Sequence, residues 1–184
     1  MISERAKEGF SYLIQEALKN SLMASSDGIC VIETVEDESQ IKEKEIVVLT
    51  ISSYLFRIIT LFYFTLNEET KDHFAKVIRV PVADMDDSSF YDAIGEFGNM
   101  FSGALNRYVG KYFQYVGLST PNILEKNCAS YLSSLDYEYI KHFKIKLNNS
   151  ITFHSSLCIC DYADLDFEVE NSTEDETAGE MELF

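Results

Sequence analysis

The stretch IVVLTISSYLFRIITLFYFTL, residues 46–66, decides which class of fold this chain adopts. It is strongly apolar, rich in β-branched and aromatic side chains, and about as long as the ~20 residues that span a bilayer. The charge of Arg57 and the serines and threonines along the stretch weigh against a membrane span. Ser52 and Ser53 divide the run, so we predict two consecutive strands in the core of a sheet, one on each side of the serine pair.

Amphipathic helices are predicted on either side of this strand pair. Residues 3–24 carry apolar side chains at three- and four-residue spacing, which is typical of a helix with one buried face. A short strand is predicted at residues 29–35, between this helix and the strand pair. After the pair, Asn67 precedes acidic residues, which is the pattern of a capped helix N-terminus and predicts a helix over residues 67–80.

The second half of the chain is predicted to hold one more helix and three more strands. The helix begins after a cap at Ser88 or Ser89 and continues to about Tyr115. The strands are predicted at residues 118–126, 137–147 and 151–167.

These strands complete the predicted architecture. Pro121 indicates a sheet edge or the start of a strand, because proline has no N–H for the ladder. A turn at Asn148 and Asn149 joins the last two strands into a hairpin. The order helix, three strands, two helices, three strands predicts an α+β fold with a mainly antiparallel sheet covered on one face by helices.

The ends and the charge of the chain limit its class. From about Glu168 the sequence is acidic and aperiodic, so we predict one domain over residues 1–168 and an acidic, disordered tail over residues 169–184. The formal net charge of −16 argues against nucleic acid and against an anionic membrane surface as partners. The start, MISERAKEGF, lacks the apolar core of a signal peptide, and we expect a cytoplasmic protein.

The cysteines and histidines predict no metal site. Cys158 and Cys160 form a C-x-C on a predicted strand, with both side chains on one face. Cys30, Cys128 and three scattered histidines do not add ligands at finger-like spacing. We therefore expect four free thiols that act as small buried hydrophobic residues, and no bound metal.

The predicted third helix contains FYDAIGEFGNMFSGALNRY, residues 90–108, whose apolar spacing is helical although it carries three glycines. Gly95, Gly98 and Gly103 each destabilise a helix interior by about 1 kcal/mol relative to alanine. A glycine is kept despite this loss of stability where another backbone or a partner surface has to approach the helix closely. We therefore predict close approaches at the three glycines.

Three polar side chains of the same stretch fall on one face of the helix. Asp92, Glu96 and Asn99 are spaced i, i+4 and i+7, which makes a small polar projection. The spacing alone favours an ordinary solvated helix face. The sequence pattern shows no nucleophile beside a base, no phosphate-binding glycine loop and no zinc signature. These residues by themselves therefore do not indicate a particular reaction.

The segment DAIGEFGNMFSG, residues 92–103, resembles the motif D/S-x3-E-x2-N of the CheC/CheX/FliY family of chemotaxis phosphatases, and it is most similar to CheX. Downstream, VGLSTPNILEK resembles the proline-containing strand that follows the motif helix in CheX, and the order of elements agrees over residues 1–168. CheC-type members carry the motif twice. The first helix here offers only Glu16-x3-Asn20, one residue too wide, so the resemblance covers a single motif site.

The resemblance implies hydrolysis of the aspartyl phosphate of a phosphorylated CheY-like response regulator. In that role Asn99 orients the attacking water and Glu96 docks the regulator's active-site lysine, while Asp92 shapes the helix start or the contact rim. Gly95 and Gly103 belong to the surface that the regulator contacts. The resemblance implies no cofactor of the protein's own, since Mg²⁺ comes from the regulator's active site, and the habit of the family implies a homodimer.

Two other interpretations stay open at this point. A CheX-like domain without activity could bind a response regulator or a flagellar-switch component as an adaptor, through the same face of the helix. The protein could also be a purely structural oligomerisation domain, in which the motif has no functional role. The presence of Glu96 together with Asn99 favours catalysis over the adaptor.

Overall fold

The computed structural model describes residues 1–24, 28–36, 38–129, 136–148 and 150–169. In these ranges the chain forms three α-helices and a seven-stranded sheet, which confirms the predicted α+β class. The elements are α1 (Glu4–Leu22), β1 (Cys30–Val35), β2 (Glu45–Ser52), β3 (Phe56–Phe64), α2 (Glu68–Ile78), α3 (Asp87–Gly110), β4 (Gly117–Leu118), β5 (Asn122–Glu125), β6 (Tyr139–Leu147) and β7 (Ile151–Asp161).

The strand order across the sheet is β1-β6-β7-β3-β2-β4, and β5 also pairs with β2. Each of these pairings is antiparallel. Ser53 forms the turn between β2 and β3, because its hydroxyl accepts hydrogen bonds from the backbone N–H groups of Leu55 and Phe56. The predicted division at the serine pair is therefore confirmed. No helix in the described ranges is long and apolar enough to cross a membrane.

The first two helices begin at polar residues that satisfy their free N–H groups. The hydroxyl of Ser3 accepts a hydrogen bond from the backbone N–H of Ala6 and caps α1. Asn67 and Thr70 form a reciprocal capping box at the start of α2, which confirms the predicted N-cap. α1 and α2 both pack against α3, and Lys71 of α2 pairs with Asp87 in the first turn of α3.

The third helix differs from its prediction at both ends. Its cap is Asp86, whose carboxylate accepts a 2.8 Å hydrogen bond from the backbone N–H of Ser89, so the predicted cap at Ser88 or Ser89 is wrong. The carboxylate of Asp86 also places a negative charge at the positive end of the helix dipole. α3 ends at Gly110 and not near Tyr115, whose φ of 58° lies in the left-handed region and cannot continue a right-handed helix.

The predicted strand over residues 118–126 is two short strands in the structure, β4 and β5. Both pair with β2 at the edge of the sheet, and Pro121 lies in the break between them. Because proline has no N–H to donate, its predicted place at an edge or strand start is confirmed. Within the described ranges four strands follow α3, where the sequence predicted three.

β6 and β7 form the predicted hairpin. At its turn Asn148 adopts a φ of 50°, a left-handed conformation that asparagine tolerates, while Asn149 lies outside the described residues. β7 ends at Asp161, earlier than predicted, because the chain then turns back towards its own start. There Leu165 forms a parallel bridge with Ile2.

Helices cover one face of the sheet, as predicted, and the core beneath them is rich in phenylalanine. The opposite face carries a second, smaller buried cluster. In the described part of the chain, loop segments between β1 and β2 and between β5 and β6 cover this face. The cluster consists of Ile41, Ile46, Ile59, Leu61, Tyr63, Ala129, Cys158 and Cys160.

The four cysteines are free thiols with different environments. Cys158 and Cys160 are buried in the second cluster, as predicted, and burial raises the pKa of Cys158 to about 12. Cys30 is half-buried. The prediction of burial is wrong for Cys128, which is exposed because it lies in a short helical turn that leaves the sheet after the edge strand β5.

The end of the described chain packs on α1 and α3. The ring of Phe167 lies 4.8 Å from that of Phe10 and 5.0 Å from that of Phe113, centroid to centroid, and Val169 is partly buried against the same core. Val169 is the first residue of the predicted tail, and residues 170–184 lie outside the described part of the chain. The division of the chain after residue 168 therefore stays a prediction.

Candidate functional site

α3 turns one face to the core and the opposite face, which carries the predicted motif, to solvent. Asp92, Glu96 and Asn99 are all exposed, and Met100 beside them is 37% exposed. The structure therefore brings the three polar residues together on one accessible face. The buried face consists of Phe90, Ala93, Ile94, Phe97, Gly98, Phe101, Ser102, Ala104, Leu105 and Val109.

The side chains of the motif make no hydrogen bond or ion pair with the described residues. At Asn99 the backbone carbonyl is engaged instead, because it accepts a 3.1 Å hydrogen bond from the hydroxyl of Ser102. The amide of Asn99, which offers both a donor and an acceptor, is therefore available to water or to a partner. Residues three apart on a helix have Cβ atoms about 5–6 Å apart, so one partner surface can contact Glu96 and Asn99 together.

The glycines of α3 lie in two different environments. A Cβ atom on Gly98 would be 2.8 Å from Cγ of Pro121, so the predicted close approach is confirmed there, and the approaching group is the edge of the protein's own sheet. A Cβ atom on Gly95 would meet no described atom within 4 Å, and one on Gly103 would meet the guanidinium of Arg107 at 3.7 Å. Gly95 and Gly103 thus leave the exposed surface low, and their contact with a partner stays a prediction.

Two polar contacts anchor α3 just before the motif. The phenol of Tyr91 donates a 2.5 Å hydrogen bond to Glu45 of β2, and this contact raises the pKa of Tyr91 to about 12. In the first turn of α3, the carboxylate of Asp87 forms an ion pair with Lys71 of α2, with 2.8 Å between Oδ1 and Nζ. This contact raises the pKa of Lys71. Sequence reasoning missed both contacts, because nothing in a single sequence links partners that far apart in the chain.

The motif lies on an exposed face of α3 and lines neither of two cavities elsewhere in the described part of the protein. A cavity of about 580 Å³ beside β2 and β5 is lined by Glu45, Tyr91 and Glu125 among others, but by none of the three motif residues. A second cavity, of about 220 Å³, lies between the end of α1 and the β6–β7 turn. Small-molecule substrates are usually enclosed in concave sites, whereas an exposed helix face of this kind suits insertion into the site of another protein.

The chemistry that the motif offers is limited to hydrogen bonding and charge. An amide can orient a water molecule, and a carboxylate can pair with a cation. The described ranges contain no group of three His, Cys, Asp or Glu side chains that could hold a metal ion. That the protein binds no metal of its own stays a prediction.

Solved structures of CheC-like and CheX proteins share this fold. CheX of Borrelia burgdorferi, in a structure of its complex with CheY, BeF3 and Mg²⁺, gives a TM-score of 0.60 at 14% identity, covering 84% of this chain and 97% of that one. A CheC-like superfamily protein from Shewanella sp. PV-4 gives 0.58 at 15% identity, with 83% and 97% covered. CheX of Desulfovibrio desulfuricans gives 0.56 at 16% identity, with the same coverage of 83% and 97%.

No protein-family model matches the sequence, and no curated protein sequence matches it. At identities of 14–16% the likeness to solved structures is one of fold. The resemblance to CheC and CheX that the motif suggested is therefore confirmed at the level of the fold. The roles of the individual motif residues stay predictions.

Proposed function

We propose that this protein is a CheX-like phosphatase that accelerates hydrolysis of the aspartyl phosphate of a phosphorylated CheY-like response regulator. The observation that carries the proposal is the exposed and unpaired set Asp92, Glu96 and Asn99 on α3 of a CheC/CheX-like fold. The complex of Borrelia burgdorferi CheX with CheY supports the choice of partner.

In the proposed reaction Asn99 orients the attacking water. An acyl phosphate is already activated, so the element that the regulator lacks is a water held in line with phosphorus. The water oxygen attacks phosphorus, the bond from phosphorus to the aspartyl oxygen breaks, and a free carboxylate and inorganic phosphate are released. A neutral amide suits this task because a carboxylate would repel the phosphoryl oxygens.

In the same proposal Glu96 fixes the docking by pairing with the lysine of the regulator's active site. Asp92, one turn earlier, lies at the rim of the contact. Gly95 and Gly103 keep the surface low, so the regulator can come close to the helix backbone. The Mg²⁺ belongs to the regulator, and this protein adds no cofactor of its own.

A non-catalytic adaptor would dock through the same face of α3, and no contact in the described ranges favours it over catalysis. The two functions differ in one measurable result, since an adaptor binds the regulator without shortening the lifetime of its phosphate. A cytoplasmic location and a homodimer are further expectations that go with the proposal.

The test is the decay of phosphorylated regulator with and without this protein. CheY-like response regulators of the same organism are phosphorylated with acetyl phosphate, and loss of phosphate is followed after the donor is removed. We expect the wild-type protein to accelerate the decay of one of them. Asn99→Ala should lose at least about 10-fold of that acceleration while it still binds. Asn99→Asp should lose as much and bind more weakly, because its carboxylate repels the phosphoryl oxygens.

Asn122→Ala is a matched control for these variants. Asn122 is an exposed asparagine that pairs with Val48, whose side chain packs in the second cluster, so it projects from the face of the sheet opposite α3. A folded Asn99→Ala protein with wild-type acceleration would remove the catalytic assignment. Binding without acceleration by the wild-type protein would select the adaptor.

A further inference from the structure

We infer that Arg107 is a specificity-determining residue of the same surface, whose guanidinium binds an anionic group of the phosphorylated regulator. The inference rests on the proposed function and adds to it a second docking charge, of sign opposite to that of Glu96.

Arg107 continues the stripe of motif residues along α3. Gly103 follows Glu96 by seven residues and Arg107 follows Gly103 by four, spacings that place all three on one face of a helix. Arg107 is exposed, as Glu96 and Asn99 are. The polar face therefore reaches past the recognised motif by about one more turn.

The side chain of Arg107 points back towards Asn99. Helical side chains lean towards the N-terminus, so a long one covers the turn that precedes its own Cα. Here the guanidinium nitrogen Nη1 lies 3.7 Å from the position of a Cβ on Gly103. Since Gly103 has no side chain, the guanidinium lies over this turn, and the Cα of Asn99 is about 6 Å further along the helix axis.

The charge of Arg107 is not used inside the described part of the protein. Its guanidinium makes no ion pair or hydrogen bond with described residues, whereas Lys71 is held by Asp87 and Arg5 by Asp166. Arg107 is also the single lysine or arginine in the sequence of α3. An unpaired arginine with its five donors in a planar fork is well suited to a carboxylate or a phosphoryl group.

Charge complementarity favours the phosphorylated regulator as the partner of this cation. The chain carries a net charge of −16, and Asp92 and Glu96 add negative charge to the approaching face. A phosphorylated aspartate and the acidic side chains that hold Mg²⁺ would repel such a face unless local cations offset it. Arg107 supplies that local charge from the turn at Gly103, next to the turn that carries Asn99.

Apolar side chains flank the stripe, as at a protein interface. Met100 is 37% exposed on one side of it. The edge strand β4 contacts α3, and its Leu118 is 50% exposed. Leu118 pairs with Ile51, a residue of the core beneath the helices, so it projects from the same side of the sheet as α3. These two residues offer apolar area that a protein partner can cover beside the charged stripe.

The experiment compares Arg107→Gln, Arg107→Lys and Arg107→Glu with the control Lys111→Gln. Lys111 also contributes one positive charge at the end of α3, but its ammonium lies 5.9 Å from the centroid of the Tyr108 ring, and the residue lines a cavity shared with α1. Both glutamine variants therefore remove one positive charge near the C-terminus of α3. The probe is the regulator that the wild-type protein binds most tightly, with and without beryllofluoride and Mg²⁺.

Arg107→Gln should weaken binding by about 10-fold and raise KM by a similar factor, with kcat changed by less than about 2-fold, because the residue docks and does not touch the water. Arg107→Lys should recover part of the affinity, since it keeps the charge but loses the fork. Arg107→Glu should bind more weakly than Arg107→Gln. Lys111→Gln should stay within about 2-fold of the wild-type protein.

The two states of the regulator identify the anion. A loss confined to the beryllofluoride-loaded regulator assigns the phosphoryl group, and an equal loss in both states assigns a carboxylate of the regulator. The inference is overturned if Arg107→Gln weakens binding no more than Lys111→Gln does, in which case the proposed function still stands.

The failure of the proposed function itself would look different. If the wild-type protein binds without accelerating decay, catalysis fails while the binding series still decides the role of Arg107. If the wild-type protein binds no regulator in either state, both the proposed phosphatase function and the proposed role of Arg107 are wrong.

Discussion

The backbone of Gly98 lies directly against the ring of Pro121, so close that a Cβ built on the glycine would be 2.8 Å from Cγ of the proline. The contact joins the buried side of α3 to the edge of the sheet, at the break between β4 and β5. It fixes the helix that carries Asn99 relative to the sheet, because the proline ring packs directly on the helix backbone. One of the three glycines is thus explained by packing inside the protein.

Gly98→Ala should therefore lower the free energy of unfolding by about 1–2 kcal/mol, although alanine is the better helix former. A proline ring cannot rotate away from the added methyl group, so the helix or the edge strands have to shift. Urea unfolding of the variant measures the loss. Adding Pro121→Ala should recover part of it, and a stability of Gly98→Ala equal to the wild-type value would show that α3 is free to move at this point.

Gly95→Ala should have the opposite effect on stability. A Cβ at this position meets no described atom within 4 Å, so the substitution should raise the free energy of unfolding by about 0.5–1 kcal/mol through helix propensity. The same methyl group would obstruct a partner, so affinity for the regulator should fall while stability rises. Unchanged affinity in the stabilised variant would place Gly95 outside the contact surface.

His73 of α2 is a partly buried titratable group away from the motif. Its ring packs against Phe74 and Phe153 at centroid distances of 5.2 and 5.6 Å, and its Nε2 has no hydrogen-bond partner among the described residues. Burial lowers the pKa of His73 to about 4, and the charge of Lys76 adds to the shift. The imidazole is therefore neutral in the folded protein at neutral pH.

The pKa of His73 predicts a specific loss of stability in acid. Its folded-state pKa lies below the ordinary value of 6.5, so the unfolded chain takes up the proton first as the pH falls. Above pH 6.5 the ring is neutral in both states, and protonation does not reduce the free energy of unfolding. Between pH 6.5 and about 4 the unfolded chain is protonated first, and the free energy of unfolding falls. Between pH 7 and 5 the unfolding free energy of His73→Phe should fall about 1–2 kcal/mol less than that of the wild-type protein. Parallel urea titrations check this, and identical pH dependence would contradict the shift.

Local patterns in the sequence were enough to predict most of the fold. Ser52 and Ser53 interrupt an apolar run, and no regular strand continues through the turn that Ser53 makes. Asn67 is followed at the right distance by Thr70, so the start of α2 is determined within four residues. The exposed face of α3 also follows from spacing alone, because helical geometry places residues seven apart on one side.

Other features depend on contacts between distant residues and could not be predicted in this way. Asp86, Ser88 and Ser89 are all good caps, so local preference does not choose among them. The ion pair between Lys71 and Asp87 joins α2 to the first turn that the structure adopts. The second buried cluster depends on loops that fold over the far face of the sheet. Arg107 was missed because the motif ends before it, although its four-residue spacing from Gly103 was a usable signal.

The carboxylate of Glu96 is exposed and unpaired in the described structure. If it docks a lysine of the regulator, Glu96→Ala should weaken binding by about 10–100-fold, because that lysine is left unpaired in the interface. Glu96→Lys should be worse, since it sets two positive charges against each other. Thermal stability should change little in either variant, because neither substitution removes a contact within the described protein.

Glu8→Ala is the matched control, since Glu8 is an exposed glutamate of α1 without an ion pair to described residues. Titration binding to the phosphate-mimicking regulator measures all three variants, and exchanging the regulator's lysine for glutamate should restore binding to Glu96→Lys. Such a restoration identifies the pair directly, because a general charge effect would not favour this one combination. If Glu96→Ala binds as Glu8→Ala does, the docking charge lies elsewhere on α3.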